Sequence, residues 1–183
     1  MHPVTIDSER LRLREFTEGD VDALLRVYGD PQVVEHMSFE PRNREQVEAT
    51  VQAVIAAAQA EPRTEYSPAG VDAATDELVS FARLAIDTQH PGQNSGQIGF
   101  TLRADLWGRG LGTELARLLL RLGFDDLGLY RVWGARSPQN VVSGHVMGRL
   151  GMIEEGRVRG HLLIGGSYRD SVVHSILAPE WSS

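Results

Sequence analysis

The residues with the clearest chemical promise run from Trp107 to Thr113 and read Trp-Gly-Arg-Gly-Leu-Gly-Thr. Glycines at 108, 110 and 112 let the main chain turn tightly and adopt backbone angles that a side chain would oppose. A strand ending in such a turn, with a helix opening directly after it, gathers several N–H groups at one spot. That arrangement binds phosphate without needing any particular side chain. Arg109 adds a guanidinium able to make charge-assisted hydrogen bonds to an anion. A phosphorylated cofactor or substrate is the chemistry implied, and a purely structural turn is the other reading of the glycines alone. The spacing does not fit a dinucleotide fingerprint, which wants Gly-x-Gly-x-x-Gly after the first strand and an acid about 20 residues on. Further along, Asn140 is placed to cap a helix after Ser137-Pro138, and Ser143 lies one turn later.

Composition removes several other chemistries. The chain has no cysteine, which excludes disulfides, thiolate catalysis and Cys-ligated metal. All 18 basic residues are arginine. Without lysine there is no Schiff base and no P-loop or kinase-type lysine. His2, His90 and His174 show no metal-ligand spacing, so no metal is expected.

The elements that must position these residues follow from periodicity. Ser8 to Glu15 alternates Leu11 and Leu13 with arginines, as a half-buried strand does. Val21, Leu24, Leu25 and Tyr28 form a helical stripe closed by Gly29-Asp30-Pro31, which opens a short helix to about His36. Arg42 to Ala60 reads as a long helix. Strands are expected over Thr64–Asp72, Leu78–Ile86 and Gln97–Arg103. Leu111, Leu115, Leu118, Leu119 and Leu122 make the strongest amphipathic helix, running through Glu114–Phe124. A strand at Arg131–Arg136, a helix at Pro138–Leu150 and a hairpin of Met152–Leu163 with Ser167–Leu177 complete the order. Residues 1–183 read as a single domain of α/β (α+β) class with a mixed sheet. A net charge of −7 disfavours nucleic acid and anionic membranes as partners and mildly favours a cationic one such as an amine. Neither a signal peptide nor a membrane span is seen, and a cytoplasmic location is expected.

Several segments, in order and at matching spacing, resemble the GNAT superfamily of acyl-CoA N-acyltransferases. They are most similar to the branch that includes bacterial ribosomal-protein N-terminal acetyltransferases and many small-molecule acetylators. The carriers are Ser8-Glu9-Arg10-Leu11-Arg12-Leu13-Arg14, Tyr28 to Val34, Leu106 to Glu114, Asn140-Val141-Val142-Ser143 with Leu150-Gly151-Met152, Tyr168-Arg169-Asp170 and Glu180-Trp181. The resemblance covers about residues 5 to 181. It implies a mostly antiparallel, seven-stranded sheet with helices on both faces and a splayed parallel strand pair.

The resemblance also implies acetyl-CoA as cosubstrate, an amine acceptor, direct transfer without an acyl-enzyme, and a homodimer. It places the CoA pyrophosphate on Trp107, Gly108, Arg109, Gly110, Leu111, Gly112 and Thr113. It places the pantetheine arm and thioester along Phe100, Thr101 and Leu102, with Asn140 beside the arm and Ser143 at the sulfur as the catalytic group. Some relatives carry a glutamate base where this chain has Gln97, which cannot take a proton. His161, Asp170 and Glu35 are the substitutes by sequence neighbourhood, and His145 would point to another face than Ser143. Tyr28, His36, Met37, Trp133 and Tyr168 are candidates to line an acceptor pocket suited to an amine. A CoA-binding module without activity, and the same fold using a donor such as succinyl-CoA, are the competing readings.

Overall fold

A computed structural model describes residues 3–90 and 92–182. Its first strands, β1 (Thr5–Asp7) and β2 (Leu11–Arg14), form an antiparallel hairpin. Leu11 and Leu13 point into the core and the arginines between them stay partly exposed. Helix α1 (Val21–Tyr28) buries Leu24, Val27 and Tyr28. Asp30 caps the one-turn α2 (Pro31–Val34) by accepting the Gln32 N–H, with Pro31 at its first position. In α3 (Arg44–Ala58), Asn43 and Gln46 form a reciprocal capping box.

The strands β3 (Glu65–Tyr66), β4 (Ala69–Asp72), β5 (Leu78–Ile86) and β6 (Ser95–Leu102) precede α4 (Leu111–Arg121). The tail of α4 widens into a π-helical turn over Leu122–Asp126. Next come β7 (Arg131–Arg136), α5 (Val141–Arg149), β8 (Ile153–Ile164) and β9 (Ser167–Leu177). The sheet runs β1-β2-β4-β5-β6-β7-β9-β8, with β3 also paired to β5. All pairs are antiparallel except β6 with β7.

The mixed, mostly antiparallel sheet with one parallel pair is the architecture expected from the sequence. The described residues make nine strands rather than seven. Residues 8–10 turn the opening segment into a hairpin, and Ser67-Pro68 interrupts the segment read as Thr64–Asp72. Two apolar cores lie on opposite faces. One gathers Leu115, Leu118 and Leu119 of α4 with Leu84, Ile98 and Val132 of the sheet. The other gathers α1, α2 and α3 against Ala69, Val71 and Phe81. The leucine stripe of α4 is therefore what seats that helix, and with it the glycine turn at its N-terminus.

Candidate active site

The turn before α4 has the conformation its glycines require. Gly108 and Gly110 have φ of +75° and +81°, in the left-handed region that other residues avoid. Gly110 is the N-cap of α4 and supplies no side-chain cap. The N–H groups of Thr113 and Glu114 close back on the Gly110 carbonyl at 3.2 Å. The N–H groups of Gly108, Arg109, Gly110, Leu111 and Gly112 find no such partner among the described residues, which is the usual state of a helix start. Gly112 has no left-handed angle, and a Cβ there would make only an ordinary contact with Val146 Cγ2 of α5, at 3.8 Å. Exposed Trp107 ties the turn to the sheet, its indole N–H donating to the Leu102 carbonyl at 2.8 Å.

A brace not anticipated from the sequence holds the outer side of the turn. Arg10 Nη1 donates to the Arg109 carbonyl at 2.9 Å, and Arg10 Nε donates to Glu114 Oε2 at 2.8 Å. The Arg10 N–H and the Ser8 hydroxyl both donate to Glu114 Oε1 at 2.8 Å. Burial alone would raise the Glu114 pKa, but these donors outweigh it and hold the carboxyl below its usual range. The groups are about a hundred residues apart in the chain, so local patterning carries no signal for them. The only hint is an acid in the first turn of α4, where the helix dipole favours it.

The parallel strands part in front of this turn. β6 and β7 pair from Ser95 with Arg131 to Ile98 with Gly134 and no further. β6 runs on to Leu102 beside β5, and β7 to Arg136 beside β9. The Ser95 carbonyl and the Arg103 N–H both bond toward β5. Strand alternation therefore turns the main-chain groups of Gly99 and Thr101 toward β5 and those of Phe100 and Leu102 into the gap. The Leu102 carbonyl is taken by Trp107, which leaves the Phe100 N–H and C=O and the Leu102 N–H facing the opening. Thr101 is buried, with its hydroxyl unpartnered.

Helix α5 closes the other side. Asn140 caps it by accepting the Ser143 N–H at 3.0 Å. Ser143 is half-buried, one turn before Val146 and Met147, which face α4 and the sheet. Its hydroxyl has no partner among the described residues. His145 is exposed, on a different face from Ser143. Gly144 lies directly over Arg136: a Cβ there would be 2.8 Å from Arg136 Nε.

A cavity of about 460 Å³ lies between the segment after α1 and the β8–β9 hairpin, lined by Glu35, Met37, Phe39, Glu40, Tyr168 and Arg169 among others. Helix α2 touches β6, and Arg169 of β9 bonds the Met37 carbonyl, so this segment bridges across from β6 to β9. Of the residues expected at an acceptor pocket, Met37 and Tyr168 line the cavity. Tyr28 is buried in an aromatic cluster instead, 4.9 Å from Phe39 and 5.3 Å from Phe81 between ring centroids. Burial raises its phenol pKa. His36 and Trp133 are half-buried and do not line the cavity.

The three substitutes for a base separate in the same way. Asp170 is engaged by the Gly160 N–H at 2.8 Å and Arg157 Nε at 2.6 Å, which hold its pKa down and make it a poor proton acceptor. His161 Nδ1 lies 2.9 Å from the Ser171 hydroxyl. Glu35 lines the cavity and is exposed. Gln97 sits in the paired part of β6, opposite Trp133, and has no titrating group. Among the described residues no group of three or more His, Asp or Glu is placed to hold a metal ion.

The sequence model of the Acetyltransferase (GNAT) domain matches residues 10–153. The chain belongs to the GNAT acetyltransferase family. It is therefore an acyltransferase of a family that uses acetyl-CoA as cosubstrate. The uncharacterized N-acetyltransferase p20 of Bacillus licheniformis is 26% identical over 97% of this chain and 98% of its own length. The [ribosomal protein uS5]-alanine N-acetyltransferase of Escherichia coli (strain K12) is 29% identical over 46% of this chain and 44% of its own. A solved GNAT-family acetyltransferase from Bacillus anthracis superimposes with a TM-score of 0.83, covering 97% of this chain and 100% of that one at 22% identity, a likeness of fold. Among the described residues no helix is long and apolar enough to cross a membrane.

Proposed function

We propose that this GNAT protein is an N-acetyltransferase that moves the acetyl group of acetyl-CoA directly onto the nitrogen of an amine, either a protein N-terminus or a small molecule, in a ternary complex. The parting of β6 and β7 beyond Ile98 and Gly134, directly in front of the unpartnered amides of the glycine turn, carries this reading. The diphosphate of CoA would lie on the N–H groups of residues 108–113, where backbone donors and the α4 dipole meet an anion. Arg109 would add a charged contact. The pantetheine arm would run through the gap beside Asn140 and pair with the main chain of Phe100 and Leu102.

During transfer a C–N bond forms and the C–S bond breaks. The Phe100 N–H, turned into that gap, would steady the charge that develops on the thioester oxygen. The Ser143 hydroxyl would stabilise the departing thiolate, which ends protonated as free CoA. The amine must give up a proton, because alkyl ammonium groups have pKa values near 10. Glu35, exposed in the adjoining cavity, would receive it directly or through water, since Gln97 cannot.

The test is release of free thiol from acetyl-CoA with a panel of amines, and then from succinyl-CoA with the same panel. Acceptor-dependent release, fastest with acetyl-CoA, is the expected result. Tight CoA binding with no acceptor-dependent release would show a CoA-binding module instead, and faster release from succinyl-CoA would show a different acyl donor.

A further inference from the structure

The cavity between the α2 segment and the β8–β9 hairpin holds a cation without a counter-ion. Arg169 is half-buried. Its Nη1 donates to the Met37 carbonyl at 2.9 Å, and its Nε is buried with no acceptor. Among the described residues no carboxylate pairs with it, and burial is the one influence on its pKa, a downward one. Its neighbour in sequence, Asp170, is already committed to Arg157. Taking part of a guanidinium out of water with no anion beside it costs free energy that an incoming anion would recover in part. The same cavity carries the opposite charge on its other wall, from Glu35 and Glu40. The Glu40 Oε1 reaches across to the hairpin turn, 3.8 Å from where a Cβ of Gly165 would be. A cavity of about 460 Å³ is of a size for a small molecule.

An amine alone, or a polyamine, would meet Glu35 and Glu40 but leave Arg169 unsatisfied. A ligand with an ammonium at one end and a carboxylate at the other satisfies both walls. Resting on the transfer reading above, we propose that the acceptor is a small amine that also bears a carboxylate, an amino acid or close derivative, and that Arg169 is its specificity-determining residue. The carboxylate sits on the open Nη2 side of the guanidinium. The amino group sits by Glu35 and Glu40.

The experiment measures kcat/KM with acetyl-CoA for three acceptor sets: the common amino acids, their C-terminal amides, and the corresponding decarboxylated amines. A short peptide with a free N-terminus and an amidated C-terminus is run beside them. At least one free amino acid should exceed its amide and its decarboxylated amine by about 10- to 100-fold, the scale of a charged hydrogen bond. Arg169→Gln should erase that preference while CoA affinity stays within about twofold, and Arg169→Lys should restore part of it. The wild-type comparison stands even if a variant does not fold. Equal turnover with and without the carboxylate, or acetylation of the peptide alone, overturns the proposal and leaves acetyl transfer standing. No thiol release with any acceptor overturns both.

Discussion

At the scale of single residues, the glycine turn was legible because its constraint is local. Gly108 and Gly110 are free to take left-handed backbone angles that other residues resist, and both take them. Asn140 was equally legible as a cap. Arg169 and Glu114 were not, because what matters about each is a partner, or a missing partner, contributed by a distant strand. Ser143 is the sharpest residue-scale prediction. Its hydroxyl is uncommitted, and the proposed contact with the CoA sulfur would strengthen only as negative charge builds there. Ser143→Ala should lower kcat about tenfold and leave the KM for acetyl-CoA within about twofold. A steady-state comparison reads this. Unchanged kcat, or a loss confined to KM, would remove Ser143 from the sulfur.

At the scale of elements, α4 was the most legible because five leucines at helical spacing leave one way to bury it. Its end was less so, since the π-helical turn over Leu122–Asp126 has no separate sequence mark. The opening strand hid a hairpin whose turn, Ser8 to Arg10, makes no sense until it meets Glu114. That contact joins the β1–β2 turn to the glycine turn before α4, and its loss should loosen the latter. Glu114→Gln should raise the KM for acetyl-CoA about three- to tenfold with little change in kcat. The carboxyl is held below its usual pKa of 4.5. Its contribution is therefore complete above pH 4.5 and fades as pH falls through the lower folded value. Binding of CoA by wild type and variant, measured by calorimetry, should differ at pH 7, still differ at pH 4.5, and draw together only as pH falls through the lower folded value. A constant difference down to acid pH would contradict the brace.

At the scale of the molecule, the class of fold was legible from the order of elements, but the order of strands was not. β7 inserts between β6 and β9, pairing across more than thirty residues on each side, and periodicity says nothing about such partners. The long-range packing has one titratable consequence. His174 of β9 lies opposite Gly134 of β7, 4% exposed, accepting from Arg136 Nε at 3.1 Å with its Nδ1 unpartnered. Burial and then the Arg136 charge lower its pKa below 6.5, against a smaller pull from Glu154. Protonation is thus harder in the folded state. The associated stability is complete above pH 6.5 and declines as pH drops below it, by at most about 1.4 kcal/mol per pH unit. Thermal unfolding should show the midpoint falling from pH 7 to pH 5, and His174→Gln should flatten that slope. An unchanged slope would place the acid sensitivity elsewhere.

If main-chain donors before α4 hold the diphosphate of CoA, calorimetric titration of CoA into wild type and Gly110→Asp shows it most directly. Aspartate tolerates the left-handed N-cap position better than most residues, and a Cβ there would stand 3.6 Å from Arg10 Nη2, so the fold should survive. Its carboxylate would nevertheless face the diphosphate. We expect saturable binding by the wild type and a loss of at least about 100-fold in the variant with its thermal midpoint largely kept. Equal affinity for the two proteins would contradict the claim.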